Sequence, residues 1–161
     1  MGDLRVGILT CSDSRSGPGV KDDSGRAVID ACEQKGWFVV AYHVCPDDME
    51  CIASSIIDMC EAEEADVVLT LGGTGVGPRD VTPEATERIC ERIVPGVSEA
   101  IRRHTSAAEP SQVLSRAVAG IRGDTLIVNL PGGVTPTLDA LEFVSGILEA
   151  ARKTMSGGES D

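Results

Sequence analysis

Apolar runs in this chain stop well short of the roughly 18 residues that a membrane-crossing helix needs, so no span is expected. Positive charge is scarce as well. Fourteen Lys and Arg stand against 26 Asp and Glu, a net charge of −12. Sequence-independent binding to nucleic acid or to an anionic membrane depends on clustered cations, so both are excluded as expected partners. The six cysteines form no CxxC pair, and Met-Gly-Asp-Leu-Arg leads straight into an apolar strand pattern rather than a secretory leader. Free thiols in a reducing cytoplasm are the expectation. Two familiar phosphate-binding signatures are also missing. Pro78-Arg79 stands where GxxxxGK[ST] requires Lys followed by Ser or Thr, and Pro78 occupies the third glycine position of GxGxxG.

What is present centres on Leu69 to Thr86, LTLGGTGVGPRDVTPEAT. The preceding Asp66-Val-Val-Leu-Thr-Leu71 reads as a strand buried on both faces. Gly72-Gly73-Thr74-Gly75-Val76-Gly77 lacks the Cβ atoms that would keep a ligand away from backbone N–H groups, which makes it a phosphate cradle. Thr82 and Pro83 read as the cap and first turn of a helix whose positive end faces that cradle. Asp80 lies between cradle and helix. A carboxylate beside an anion site is unfavourable unless a cation bridges the two, so a divalent metal between Asp80 and a phosphorylated ligand is expected.

The rest of the 161 residues alternates strands with helices. Leu4–Thr10 reads as a strand leading into the polar loop Cys11–Val20, and Ser24 as the cap of a helix closed by Gly36. Trp37–Val44 reads as the next strand, and Pro46-Asp47-Asp48 opens a helix with Met49, Ile52, Ala53, Ile56 and Cys60 on one face. After the central motif come helices from Pro83 and from Pro95, and then a polar stretch from Thr105 to Arg116 read as an ordered loop or irregular helix. Ala117–Ile121 and Thr125–Leu130 form a hairpin around Arg122-Gly123-Asp124. Thr135 and Pro136 repeat the cap-plus-proline start of a helix running to about Thr154. The expectation is an α/β domain over residues 1–155 with a tail at 156–161. Its fold is three-layered and doubly wound, around a mostly parallel sheet with one antiparallel strand. Ligands of such folds bind beyond the carboxyl ends of the strands. The loops Cys11–Ser16, Cys45–Asp48, Gly72–Asp80 and Asn129–Gly133 should therefore share one rim and bring Asp47 toward Asp80. His43 and His104 are read as packing or surface residues, and Cys32 and Cys60 as small core residues.

The stretches TCSDS with DDSG, VCPDD, GGTGVGPRDVTPEAT and LSRAVAGIRGDTLIVNLPG, in that order from Leu4 to Gly132, resemble the molybdenum-cofactor biosynthesis family of Mog and MoaB proteins and the gephyrin G domain. The resemblance implies a homotrimer with molybdopterin adenylyltransferase activity, moving AMP from Mg-ATP to the terminal phosphate of molybdopterin. By it, Asp47 and Asp80 are the catalytic and magnesium-holding residues. Ser12, Asp13, Gly72, Gly73, Thr74, Gly75, Ser115, Asn129, Pro131 and Gly132 line the substrate subsites. A downstream metal-insertion protein is an implied partner. The chain departs from the common family pattern after LPG, where it carries Gly133-Val134-Thr135-Pro136. The competing expectations are a MoaB-like molybdopterin binder without an essential catalytic role, a nucleotide pyrophosphatase and a pure assembly module.

Overall fold

A computed structural model describes residues 4–158. The chain runs β1 (Arg5–Cys11), α1 (Asp23–Gln34), β2 (Phe38–Cys45), α2 (Met49–Glu61), β3 (Val67–Leu71), α3 (Thr82–Ile89), β4 (Arg92–Ile93), α4 (Pro95–Ala108), a 3-10 turn (Pro110–Leu114), β5 (Ala119–Arg122), β6 (Thr125–Leu130) and α5 (Val134–Met155). Among the described residues six strands form one sheet in the order β2-β1-β3-β6-β5-β4. β1 pairs in parallel with β2 and β3, and β3 with β6, whereas β5 runs antiparallel to both β6 and β4. The mostly parallel α/β fold is thus as expected, with β4 as an unforeseen sixth strand.

Strand periodicity divides the core between two helical layers. Val67, Leu69 and Leu71 of β3 and Leu126, Val128 and Leu130 of β6 face α1, α4 and α5, where Val28, Cys32, Ile101, Leu141, Val144 and Leu148 are buried. On the other face Val68 and Ile127 meet Ile52, Ile56 and Met59 of α2 and Ala85 and Ile89 of α3. All five β3 residues are buried, which covers both faces of the central strand and holds its carboxyl end rigidly beneath the glycine loop. Among the described residues no helix is long and apolar enough to cross a membrane.

Three helix starts differ from expectation. Asp22, not Ser24, caps α1, accepting from Gly25 N at 3.1 Å. Ser24 lies inside the first turn and its hydroxyl donates to Gly132 O at 2.7 Å. Thr82 is the first residue of α3 rather than its cap, which is Val81, and its N–H donates to Gly73 O at 3.1 Å. Thr135 lies in the first turn of α5 behind Gly133. Asp48, by contrast, caps α2 through Cys51 N, a structural role. The polar stretch from Thr105 proves regular at first, since α4 continues to Ala108 before the 3-10 turn. Of the tail expected at 156–161, Ser156 and Gly157 form a turn, and residues 159–161 lie outside the described residues.

Candidate functional site

β1, β2, β3 and β6 point the same way, so the loops after them meet at one rim. The β1 and β2 loops are latched reciprocally. Asp13 N donates to Asp47 Oδ2 at 3.0 Å, and Asp47 N donates to Asp13 Oδ1 at 3.0 Å. Arg79 from the glycine loop then grips Asp13 with two hydrogen bonds, Nε to Oδ2 at 2.9 Å and Nη2 to Oδ1 at 3.0 Å. One carboxylate thereby joins three rim loops. The loop after β6 closes the other side, where Gly132 packs against Gly72 and its carbonyl accepts from Arg15 Nη1 and Ser24 Oγ. Pro131 is buried behind it. Ser12 is held within its own turn, its hydroxyl accepting from Arg15 N at 3.2 Å.

The cradle is shaped by the space that its glycines leave. A Cβ on Gly73, whose φ is +68°, would lie 2.3 Å from Thr82 Oγ1 and 2.9 Å from Asp47 Oδ1. On Gly75 or Gly77 it would lie 2.9 Å from Asp80 Oδ2. Asp80 Oδ2 accepts from Gly77 N at 2.9 Å, which fixes the carboxylate over the loop. Asp47 Oδ1 and Thr82 Oγ1 are buried without a hydrogen-bond partner among the described residues, an arrangement that native interiors avoid unless something else binds there. Burial pushes the Asp47 carboxyl above the ordinary carboxylate range. The negative charges of Asp13 and Asp80 push it further, against the Asp13 N–H and the Arg79 charge. In Asp13 the Arg79 hydrogen bonds and the Asp47 N–H hold the carboxyl below that range. Both effects vary as expected with the charge that each carboxylate meets.

No group of three or more His, Cys, Asp or Glu side chains capable of holding a metal occurs among the described residues. Asp47 and Asp80 nevertheless fit a hard divalent cation that completes its shell with water and substrate phosphate, as magnesium commonly does. The unpartnered Asp47 Oδ1 is the observation that supports the fit.

Two side chains important here were not foreseen. Arg116 donates from Nε to Gly75 O at 2.8 Å and from Nη2 to Asp80 O at 2.8 Å, and it pairs with Glu84. Its own N–H binds Thr74 O at 2.7 Å, so it laces the buried Thr74 and the rest of the cradle from outside. Arg79 is the other. Both lie in stretches quoted for the resemblance, but their partners are distant in sequence. Ser115 is half-buried beside Arg116, its hydroxyl accepting from Ala117 N at 3.3 Å.

Asn129, expected to line a substrate subsite, is placed inside the fold. Strand parity turns it to the α2/α3 side, where it is fully buried. Its amide donates to Thr70 Oγ1 at 2.8 Å and Thr86 Oγ1 at 3.0 Å and accepts from Val118 N at 3.1 Å. Its donors are used within the fold. His43 is exposed on β2, and His104 stacks on Phe143 and meets Asp139 at 3.1 Å.

The family model described as a probable molybdopterin binding domain matches residues 7–150. The molybdopterin adenylyltransferase of Helicobacter pylori is 38% identical over 144 residues, covering 88% of this chain and 81% of that protein. Among solved structures, the molybdopterin biosynthesis enzyme MoaB of Thermus thermophilus superimposes with a TM-score of 0.89 at 38% identity, covering 98% of this chain and 99% of that one. The molybdopterin biosynthesis Mog protein of Mycobacterium ulcerans gives 0.89 at 32% identity, with 94% and 99% covered. The chain belongs to the molybdopterin-binding domain family of molybdenum-cofactor biosynthesis.

Proposed function

We propose that this protein is a molybdopterin adenylyltransferase. It transfers AMP from ATP to the terminal phosphate of molybdopterin and releases pyrophosphate. The observation that carries this reading is the unpartnered Asp47 Oδ1 facing Gly73, on a rim shared with Asp80 and the glycine cradle. The name of the Helicobacter pylori relative supports it. Nucleotidyl transfer needs alignment and neutralisation of phosphate charge more than a covalent nucleophile, and this rim offers both without His or Cys.

In this reading Asp47 and Asp80 hold magnesium, which when bound neutralises the phosphates and polarises the α-phosphoryl group. Gly72, Gly73, Thr74 and Gly75 supply backbone contacts to phosphate. Ser12, Ser115, Pro131 and Gly132 border the pterin and nucleotide subsites. The attacking pterin phosphate oxygen forms a bond to the α-phosphorus as the bond to the pyrophosphate oxygen breaks. We extend the proposal to a cytoplasmic homotrimer that passes its product to a metal-insertion protein. The free cysteines are consistent with a reducing compartment.

A MoaB-like molybdopterin binder is the second reading, favoured by the description of the matching family model as a probable molybdopterin binding domain. Incubation with molybdopterin, ATP and magnesium, followed by chromatography, separates the two. Adenylylated pterin with pyrophosphate establishes transfer. Tight pterin binding without product establishes the binder.

A further inference from the structure

We propose that Arg79 is a polyphosphate-binding side chain which the free protein parks on Asp13, and that the incoming triphosphate draws it from that carboxylate onto phosphate. The inference rests on the nucleotide-transfer reading and assigns the cation that admits the anion to an acidic mouth.

That mouth poses a charge problem. Asp13, Asp47 and Asp80 line it in a protein of net charge −12, so a triphosphate approaching it meets repulsion unless cations stand in its path. The guanidiniums described at the rim differ in what they are free to do. Arg116 holds two loop carbonyls and Glu84, with its side chain 39% exposed. Arg15 holds Gly132 O and lies 3.9 Å from Asp22, 28% exposed. Both are parts of the framework. Arg79 is 65% exposed, and its hydrogen bonds go to a single carboxylate that is itself 44% exposed. An ion pair that open to water is weak and easily exchanged.

The exchange leaves the framework intact. Asp80 N closes the turn on Gly77 O at 3.1 Å, so the backbone carrying Arg79 is fixed next to Asp80 while its side chain rotates. When Arg79 leaves, Asp13 still accepts from Asp47 N and its own N–H still binds Asp47 Oδ2. The Asp13 carboxylate, 44% exposed, then meets water. On the ligand side, a phosphate offers the guanidinium fork the same two-oxygen geometry as a carboxylate with more negative charge, so transfer to it is favourable. Asp13 then acts as a holder for Arg79 rather than as a ligand contact.

The two partners must therefore have opposite effects. Titration calorimetry with Mg-ATP, and separately with inorganic triphosphate, is to be run on the wild type, Arg79→Ala and Asp13→Asn. Arg79→Ala weakens both ligands by about tenfold or more, through loss of a charge-assisted pair. Asp13→Asn frees the guanidinium yet keeps an oxygen for Asp47 N, and it tightens both ligands severalfold. Both variants should melt within a few degrees of wild type, because the pair is exposed. Unchanged affinity in Arg79→Ala, or a weakening in Asp13→Asn matching that of Arg79→Ala, overturns the inference while leaving the transfer reading standing. A wild-type protein that binds neither ligand overturns both.

Discussion

Gly73→Ala probes the cradle most directly, and its effect can be divided into two terms. The backbone there has φ +68°, which costs a residue with a Cβ about 1–2 kcal/mol. The new methyl would also lie 2.3 Å from Thr82 Oγ1 and 2.9 Å from Asp47 Oδ1, and overpacking of that kind costs about 1–3 kcal/mol. The sum, about 2–5 kcal/mol, corresponds to a fall in melting temperature of roughly 4–20 °C for a domain of this size. Gly123→Ala supplies the internal control. Its φ is +56°, but nothing lies within 4 Å of the added Cβ, so only the backbone term applies. The comparison isolates crowding at the rim, which should separate the two variants by roughly 2–12 °C in a thermal melt. The same methyl lies against the unpartnered Asp47 oxygen, so Gly73→Ala should also lose magnesium-dependent ATP binding in calorimetry, whereas Gly123→Ala retains it. Equal melting temperatures together with equal ATP affinities would refute the view that the space beside Gly73 is kept open for a ligand.

Asp80→Asn keeps an oxygen to accept from Gly77 N and should melt within a few degrees of wild type, but lose about a hundredfold or more in adenylyl transfer assayed by pyrophosphate release. An unfolded variant would make Asp80 structural. Asn129→Ala should behave in the opposite way. It strands Val118 N and removes the partner of two buried hydroxyls, costing about 2–4 kcal/mol in denaturant melts, while transfer per folded molecule survives. Carboxylate NMR should find Asp47 titrating above and Asp13 below the ordinary value of about 3.9. The signs oppose each other in stability. The native state takes up a proton at Asp47 more readily than the unfolded chain, so that share of stability is present in acid and lost as pH rises through the folded-state pKa. The share from Asp13 is present above the ordinary range and lost as pH falls through its lowered folded-state pKa. Identical titration of the two groups would contradict the geometry of the latch.

Periodicity made most of this fold legible. The apolar runs at Arg5–Cys11 and Val67–Leu71 and the helical stripe through Ile52, Ile56 and Met59 carry their secondary structure in their spacing. Arg92–Ile93 does not, because two residues have no period and become a strand only by pairing with β5, about 30 positions later. The misplaced starts of α1 and α3 have a related cause. Ser24 and Thr82 have cap chemistry, but tertiary bonds to Gly132 and Gly73 decide where they lie. At the rim, the type and order of residues pointed to Asp47, Asp80 and the glycines. Strand parity with Ile127 puts Asn129 on the α2/α3 face, whereas the work of Arg79 and Arg116 lies in partners 66 and 41 residues away.

The lacing of the cradle by Arg116 bears on the order in which the protein comes into being during synthesis. A nascent chain that has emerged as far as α4 already carries Asp13, Asp47 and Asp80 and the sequences of β1, β2 and β3. It lacks the guanidinium that holds the Gly75 and Asp80 carbonyls, and it lacks Gly132, whose carbonyl holds Arg15 and Ser24. Translation must pass the β5–β6 hairpin before the glycine loop gains its outer lacing and Arg15 and Ser24 gain their hold on Gly132. The complete site thus arrives late, and a truncated product ending within the first hundred residues would carry the charges of the site without Arg116 or Gly132 to hold its loops.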